Sequence, residues 1–225
     1  MSENIRFKYP FTCIVSGPTG WGKTSFCIKL LQNLNSLCTE SKFSAGIIWC
    51  YSEETAVPRE KLNKLGRNIQ YQQGLPENFD NAQGEPSLII LDDLLNQVYS
   101  KDVCDLFTKG GHHRNINVLL LPQNEFHQGP NCTDISLNAK YLVLLENVRN
   151  KNQFFYLARQ AYLEDSYSLY ESYRDATRQP HGYFILDFAQ DTNDKLRFRT
   201  NVFPDEYPLI VYAPVNNETH KIELS

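Results

Sequence analysis

The sequence predicts an α/β fold in which helices flank a mostly parallel central sheet, followed by a C-terminal β-hairpin. Three observations lead to this prediction. Five apolar runs are continuous rather than alternating, which is typical of strands buried on both faces. Helical patterns separate them, and such alternation favours right-handed crossovers. Two aromatic-rich segments flank a late polar turn. We expect one domain over residues 1–225, with a core at about 8–150 and the C-terminal helices and hairpin at about 151–215.

The predicted elements follow each other at regular intervals. The five strands are expected at 10–16, 45–51, 87–92, 116–122 and 140–146, and the first helices at 23–37 and 94–108. Two more helices are expected at 152–162 and 165–178, before hairpin strands at 182–188 and 196–203. The polar stretch 52–86 is predicted as an insertion or mobile region, and the residues after 203 as a loop-rich segment on the surface.

Composition and charge narrow the class of protein. Hydrophobic residues make up 41% and charged residues 21%, which is ordinary globular usage and argues against a disordered or collagen-like chain. With 22 basic and 26 acidic side chains the net charge is −4, so any contact with nucleic acid must come from a local basic patch. The start lacks the apolar stretch of a signal peptide, and no apolar run approaches the ~20 residues of a membrane span. We expect a soluble intracellular protein with no membrane contact.

A phosphate-binding loop is the strongest motif. Residues 17–24 read GPTGWGKT, directly after a predicted strand and directly before a predicted helix, as the pattern G-x-x-x-x-G-K-[ST] requires. Its glycines let successive backbone N–H groups converge on an anion, and the helix N-terminus adds to this. Lys23 would reach the β- and γ-phosphates of ATP, and the Thr24 hydroxyl would bind Mg²⁺. The expected nucleotide-binding residues are Gly17, Pro18, Thr19, Gly20, Trp21, Gly22, Lys23, Thr24 and Ser25.

Two acidic residues and one glutamine lie at the ends of later predicted strands. In LIILDD, Asp92 is placed to hold Mg²⁺, and Asp93 to orient the attacking water. An alternative for Asp93 is to cap a helix that begins at Leu94, and the two roles are compatible. Gln123 follows the next apolar strand, where its amide would contact the γ-phosphate or the attacking water. The alternative for Gln123 is an ordinary polar turn.

With these three motifs in this order, the chain resembles the FtsK–HerA superfamily of P-loop motor ATPases. It is more closely similar to the poxvirus-type virion DNA-packaging ATPases of Maverick/Polinton-like elements and related large DNA viruses. The resemblance covers about residues 8–215, and its more specific segments read FTKGGHHRNINVLLLPQNEFHQG, DISLNAKYLVLLENVRN, LARQAY and DATRQPHGYFILDF. It implies a RecA-like core, with strand order 5-1-4-3-2, in a homo-oligomeric ring (pentamer or hexamer) that threads double-stranded DNA.

The resemblance also implies partners, a location and residue roles. The partners would be DNA and a capsid or portal protein. The protein would act inside the host cell of a viral or transposon-like element, either in the nucleus or in the cytoplasm, or would be associated with the virion. Asp92 and Asp93 correspond to the acidic pair, which is Asp-Glu in many members, and Gln123 to the polar sensor. Arg114 and Arg149 resemble arginines that act on a neighbour's nucleotide; the alternative for each is a solvated loop arginine.

Candidate DNA contacts are less specific. Lys109, His112, His113 and Arg114 form a basic cluster that could follow a phosphate backbone. Arg197 and Arg199 lie on one face of a predicted strand, since side chains alternate along it, but ordinary solvated charges explain them as well. The aromatic residues of the hairpin are expected in the core rather than as a base-stacking platform; they are Tyr183, Phe184 and Phe188.

Three other functions share the phosphate-binding loop. A GTPase would need Asn-Lys-x-Asp after a strand, whereas residues 150–153 read NKNQ. A nucleotide kinase would be expected to have an arginine-rich lid and a substrate acid, while the Asp-Asp pair and the Gln-tipped strand suit attack by water better. A scaffold that binds ATP without turnover is disfavoured by the intact Lys23, Thr24, Asp92 and Asp93.

Overall fold

A single mixed sheet runs through the computed structural model. The structure describes residues 5–43, 46–77, 79, 85–94, 100–110, 115–122, 132–147, 154–155, 157–159, 166–215 and 218–224. Its strands are β1 (Thr12–Ser16), β2 (Gly46–Tyr51), β3 (Ile69–Gln73), β4 (Ser87–Asp92), β5 (Ile116–Leu121), β6 (Tyr141–Leu145), β7 (Tyr183–Asp187), β8 (Phe198–Thr200), β9 (Leu209–Val215) and β10 (Glu218–Leu224). They form one ten-stranded sheet in the order β10-β9-β8-β7-β6-β1-β5-β4-β2-β3.

The parallel part of the sheet confirms the predicted fold class. The five predicted strands correspond to β1, β2, β4, β5 and β6, and their order β6-β1-β5-β4-β2 is the expected 5-1-4-3-2. All four contacts between them are parallel. The sheet differs from the expectation at both edges, because β3 adds a sixth parallel strand beside β2 and four antiparallel strands extend the side of β6.

The region 52–86 contains regular structure rather than a bare insertion. It includes the short helix α3 (Arg59–Asn63) and β3, whose sequence is IQYQQ. The side chains of β3 are half-buried or exposed, because an edge strand is covered on fewer sides than a central one. A polar strand of this kind lacks the apolar run by which the central strands were predicted.

The helices pack on both faces of the sheet. The structure contains α1 (Lys23–Gln32), α2 (Leu34–Leu37), α4 (Lys101–Asp105), α5 (Cys132–Leu137) and α6 (Ser166–Ala176). The predicted helix 23–37 is interrupted at Asn33. Of the predicted helix 94–108, the structure describes Leu94, which is not helical, and the residues from Ser100, whose side chain accepts a bond from the Val103 N–H and caps α4. A π-helix (Leu106–Gly110) continues α4. Residues 154–155 and 157–159 are helical, within the predicted 152–162.

Two apolar clusters cover the two faces of the sheet. Side chains alternate along each strand, so neighbouring residues of β1 and β4 enter different clusters. On one face Val15 and Ile90 pack with Phe26 and Leu30 of α1. On the other, Ile14 and Ile89 belong to the cluster that includes residues of α4 and α6. Burial on both faces explains why the middle of each of these strands is a continuous apolar run.

The C-terminal part adds antiparallel strands. The predicted hairpin is confirmed as β7 and β8. The prediction of loop-rich structure after residue 203 is wrong, because β9 and β10 pair over seven residues from Leu209↔Leu224 to Val215↔Glu218. The prolines that suggested a loop do not prevent this: Pro208 precedes β9, and Pro214 lies beyond Tyr212, the last residue of β9 in register with β8. No described helix is long and apolar enough to cross a membrane.

Candidate nucleotide-binding site

The glycine-rich loop lies between β1 and α1, as predicted. Gly20 and Gly22 have φ angles of 85° and 112°, which L side chains rarely adopt. A Cβ on Gly17 would lie 2.9 Å from Leu145 Cβ at the end of β6, so this position also excludes a side chain. Helix α1 begins at Lys23 directly after Gly22, and no side chain caps its N-terminus. Its first N–H groups are therefore available to an anion.

Lys23 points back along the loop. Its Nζ donates to the Gly17 carbonyl at 2.7 Å and to the Pro18 carbonyl at 3.4 Å, and the residue is 8% exposed. Burial lowers the pKa of Lys23, while Asp93 and Asp92 act in the opposite direction by stabilising the charge. A buried ammonium held by two neutral carbonyls can exchange them for phosphate oxygens, which are stronger acceptors for a charged donor.

Asp92 ends β4 inside the molecule. It is 3% exposed, and one carboxylate oxygen, Oδ2, accepts a bond from Trp49 Nε1 at 3.2 Å. Burial raises its pKa to about 6, although the Trp49 bond acts against the rise. Because Trp49 belongs to β2, the strand next to β4, the sheet itself fixes the orientation of this carboxylate.

Asp93 turns the chain at the end of β4. Its φ of 51° is in the left-handed region, which Asp tolerates better than most residues, and its N–H donates to Leu121 O at 3.4 Å. This turn places two adjacent acids in one cavity. The alternative role of Asp93 as a helix cap falls on residues 95–99, which lie outside the described residues.

A cavity of about 410 Å³ unites the loop with the acids. Of the predicted residues it is lined by Thr19, Gly20, Gly22, Lys23, Thr24, Ser25, Asp92 and Asp93. The cavity lies where β1 and β4 end, and we call this side of the sheet the cavity edge. Gly17 and Pro18 do not line the cavity, but their carbonyls accept hydrogen bonds from the Lys23 ammonium. The Trp21 carbonyl oxygen lies 3.3 Å from Nδ1 of His181.

Four lining residues were missed by the sequence reasoning. Glu54, Thr55 and Ala56 follow β2, and His181 precedes β7. The first three could have been anticipated, since β2 runs parallel to β4 and parallel strands end at the same edge. A bond of 2.7 Å between the hydroxyls of Ser52 and Thr55 stabilises this turn. His181 is far along the chain from the other cavity residues, and no motif in the sequence around it indicates a binding residue.

The cavity fits a magnesium–phosphate complex better than a metal alone. Among the described residues, no group of three His, Cys, Asp or Glu side chains could hold a metal ion. Thr24 and Asp92 nevertheless line the same cavity as Lys23. Mg²⁺ is commonly held by one or two protein oxygens together with substrate phosphates and water. This donor set matches that pattern.

Several predicted residues lie outside the described part of the chain. These are Gln123, Arg114 and Arg149, together with His112 and His113 of the basic cluster and the side chain of Lys109. Their predicted roles stay predictions.

The candidate DNA contact at Arg199 is wrong. Arg199 is fully buried, and its Nη2 lies 2.8 Å from Asp187 Oδ2, so the pair is internal. Arg197 bonds to Asp194 and to the carbonyls of Asp187 and Ala189, which leaves its guanidinium engaged within the turn. The expectation of core aromatic residues is confirmed, since Tyr183 and Phe184 are buried and Phe188 is half-buried against the cluster that contains Phe184.

Comparison with solved structures identifies proteins that share this fold. The chain is similar to B204, the DNA-packaging ATPase of Sulfolobus turreted icosahedral virus, with a TM-score of 0.53 and 12% identity over 80% of this chain and 93% of that one. The genome-packaging NTPase B204 of Sulfolobus turreted icosahedral virus 2, in complex with ATP-γS, gives a TM-score of 0.51 and 12% identity over 84% and 95%. No family model and no curated protein matches the sequence. The fold is thus shared with viral packaging ATPases, the class that the sequence motifs resemble.

Proposed function

We propose that this chain is an ATP-driven DNA translocase that packages a double-stranded, viral-type genome into a capsid. The observation that supports it best is one cavity that holds the phosphate-binding loop, Lys23, Thr24 and both acids in a fold shared with viral packaging ATPases. Under this proposal residues 1–225 act as one ATPase domain, because one sheet runs from β3 at one edge to β10 at the other.

The proposal gives the residues of the cavity the roles that fit their positions. Backbone N–H groups at the start of α1 and the Lys23 ammonium bind the triphosphate, and Thr24 and Asp92 hold Mg²⁺. Mg²⁺ held by Thr24 and Asp92 would supply positive charge against the negative charge that develops during phosphoryl transfer. Asp93 orients the attacking water and accepts its proton. Phosphoryl transfer depends almost wholly on positioning and charge stabilisation, both of which this cavity offers.

The remaining parts of the proposal come from the resemblance. A homo-oligomeric ring would let Arg114 or Arg149 of one subunit stabilise the transition state in its neighbour, and Gln123 would report hydrolysis. Such arginines can accelerate phosphoryl transfer about 10³–10⁵-fold. DNA, and a capsid or portal protein of a viral or transposon-like element, would be the partners inside the host cell.

Steady-state ATP hydrolysis with Mg²⁺, with and without double-stranded DNA, tests the proposal. The variants are Lys23→Ala and, as a matched lysine control outside the cavity, the exposed Lys64→Ala. We expect DNA to stimulate wild type and Lys64→Ala alike, and Lys23→Ala to lose about a hundredfold or more, since it removes a charged donor to the transferred phosphate. Hydrolysis that does not respond to DNA at any salt concentration would contradict translocation. ATP binding without turnover would instead favour an assembly scaffold.

Cooperation between subunits needs a second measurement. Arg114→Ala protein is mixed with wild type at increasing ratios, and hydrolysis is followed. If the arginine acts on a neighbour's nucleotide, activity falls more steeply than simple dilution predicts. A linear decline contradicts that role for Arg114, and the same experiment then applies to Arg149.

A further inference from the structure

The turn between α6 and β7 is built to place one histidine against the phosphate-binding loop. The Gly182 N–H donates to the Gln179 carbonyl at 2.8 Å. A Cβ on Gly182 would lie only 2.7 Å from the Ala176 carbonyl oxygen, so the turn admits glycine alone there. His181 has a φ of 62°, in the left-handed region that few residues other than glycine adopt. This tight turn brings the imidazole of His181 against the loop.

His181 approaches the end of the loop closely. Its Nδ1 lies 3.3 Å from the Trp21 carbonyl oxygen. A carbonyl only accepts, so Nδ1 is the protonated ring nitrogen in this contact. A Cβ on Gly22 would lie 2.9 Å from the same Nδ1 and 3.2 Å from Leu145 Cδ2. The absence of a side chain at Gly22 therefore serves two purposes: it permits a φ of 112° and it lets the imidazole reach the Trp21 carbonyl.

We propose that His181 is a positioning residue of the phosphate-binding loop, acting through its hydrogen bond to the Trp21 carbonyl. In a planar trans peptide the C=O and the following N–H point in opposite directions. Holding the Trp21 carbonyl toward His181 thus fixes the direction of the Gly22 N–H, one of the donors that such a loop offers to phosphate. The inference rests on the proposed function only in requiring that the loop binds a nucleotide.

Two substitutions separate this bond from the backbone strain. His181→Asn keeps an amide nitrogen close to the position of Nδ1, and Asn is among the residues that best tolerate a positive φ. His181→Gly removes the side chain and is unstrained at that φ. Gln179→Ala is a control in the same turn, because its exposed side chain does not line the cavity. Each variant is tested as the full chain.

Affinity for ATP-γS with Mg²⁺, measured by calorimetry, is the first readout, and the KM and kcat for ATP are the second. Loss of one hydrogen bond at a preorganised loop should raise the Kd of His181→Gly about two- to tenfold. The KM should rise with it, while kcat changes less than twofold. We expect His181→Asn to restore most of the affinity and Gln179→Ala to match wild type.

Three results would overturn the inference. If His181→Gly binds ATP-γS as wild type does, the contact does not position the loop, and a lower melting temperature would then show a purely structural role. If His181→Asn is as weak as His181→Gly, the Nδ1 bond is not what matters. If wild type itself binds no ATP-γS, the proposed function fails as well, whereas missing DNA stimulation with normal binding leaves this inference standing.

Discussion

Replacing Asp92 by Asn should stabilise the nucleotide-free protein while weakening the proposed binding of Mg²⁺ and nucleotide. Asn has the shape of Asp and can still accept the bond from Trp49 Nε1 through its amide oxygen. What disappears is a buried negative charge. Burial raises the pKa of Asp92 from the ordinary value of 3.8 to about 6. At about 1.4 kcal/mol per pH unit, ionisation of Asp92 in the folded state costs about 3 kcal/mol.

The effect depends on pH in a defined window. Below the unfolded-state pKa the carboxyl is protonated in both states, and Asp92 costs nothing. As the pH rises from about 4 to about 6, the unfolded chain ionises first, so wild type loses stability until the folded pKa is passed. The advantage of Asp92→Asn should therefore grow across this window and stay level above it. About 3 kcal/mol is the upper limit, because the new amide nitrogen needs an acceptor of its own.

Urea unfolding at several pH values between 4 and 8, with a chelator and without nucleotide, measures this difference. The control is Glu223→Gln, an exposed carboxylate on β10. With Mg²⁺ and ATP-γS added, wild type should gain stability by mass action, and Asp92→Asn should gain less. A difference that is constant from pH 4 to pH 8, or a variant less stable than wild type at neutral pH, would refute the reasoning.

Three further changes test other contacts. Trp49→Phe removes the donor to the buried Asp92 carboxylate. The free energy of unfolding, measured in urea, should fall by about 1–3 kcal/mol. An unchanged unfolding midpoint would mean that Asp92 finds another donor. Arg199→Leu leaves the buried Asp187 carboxylate without its charged partner, so thermal unfolding should show a free energy of unfolding lower by about 3–5 kcal/mol. A variant that loses DNA affinity but keeps its stability would contradict the burial of this pair. Gly22→Ala should abolish ATP-γS binding in calorimetry and also lower the melting temperature, because a φ of 112° is strained for alanine and its Cβ would lie 2.9 Å from His181 Nδ1; normal binding would show that the loop tolerates a Cβ.

The central sheet could be predicted because its strands are buried on both faces. Strand β4 (SLIILD) has four consecutive apolar residues and β5 (INVLLL) ends in four, and the physical cause of these runs is that burial. The phosphate-binding loop was equally accessible, since its glycine positions and its lysine follow from local backbone geometry. The two acids at the end of β4 were found for the same reason: they are adjacent in sequence and end a strand.

The edges of the sheet and the far side of the cavity were harder to predict. Strand β3 is polar because it is an edge strand, and β9 includes Pro214, which usually argues against a strand. Arg199 was expected on the surface because an arginine is rarely buried without a partner, and its partner, Asp187, is twelve residues away along the chain. His181 reaches Trp21 across 160 residues, so only the folded structure brings them together.

The change of strand direction between β6 and β7 has a practical consequence. Since β7 is antiparallel to β6, the chain enters β7 at the cavity edge and leaves it at the opposite edge. The turn that follows contains the exposed Lys195, and its Asp191 pairs at 2.7 Å with Lys8, which precedes β1. A tether attached at Lys195 would hold the protein by the side remote from the nucleotide. Immobilised in that way, the cavity edge faces solution, so that nucleotide binding can be measured on tethered protein with its cavity open.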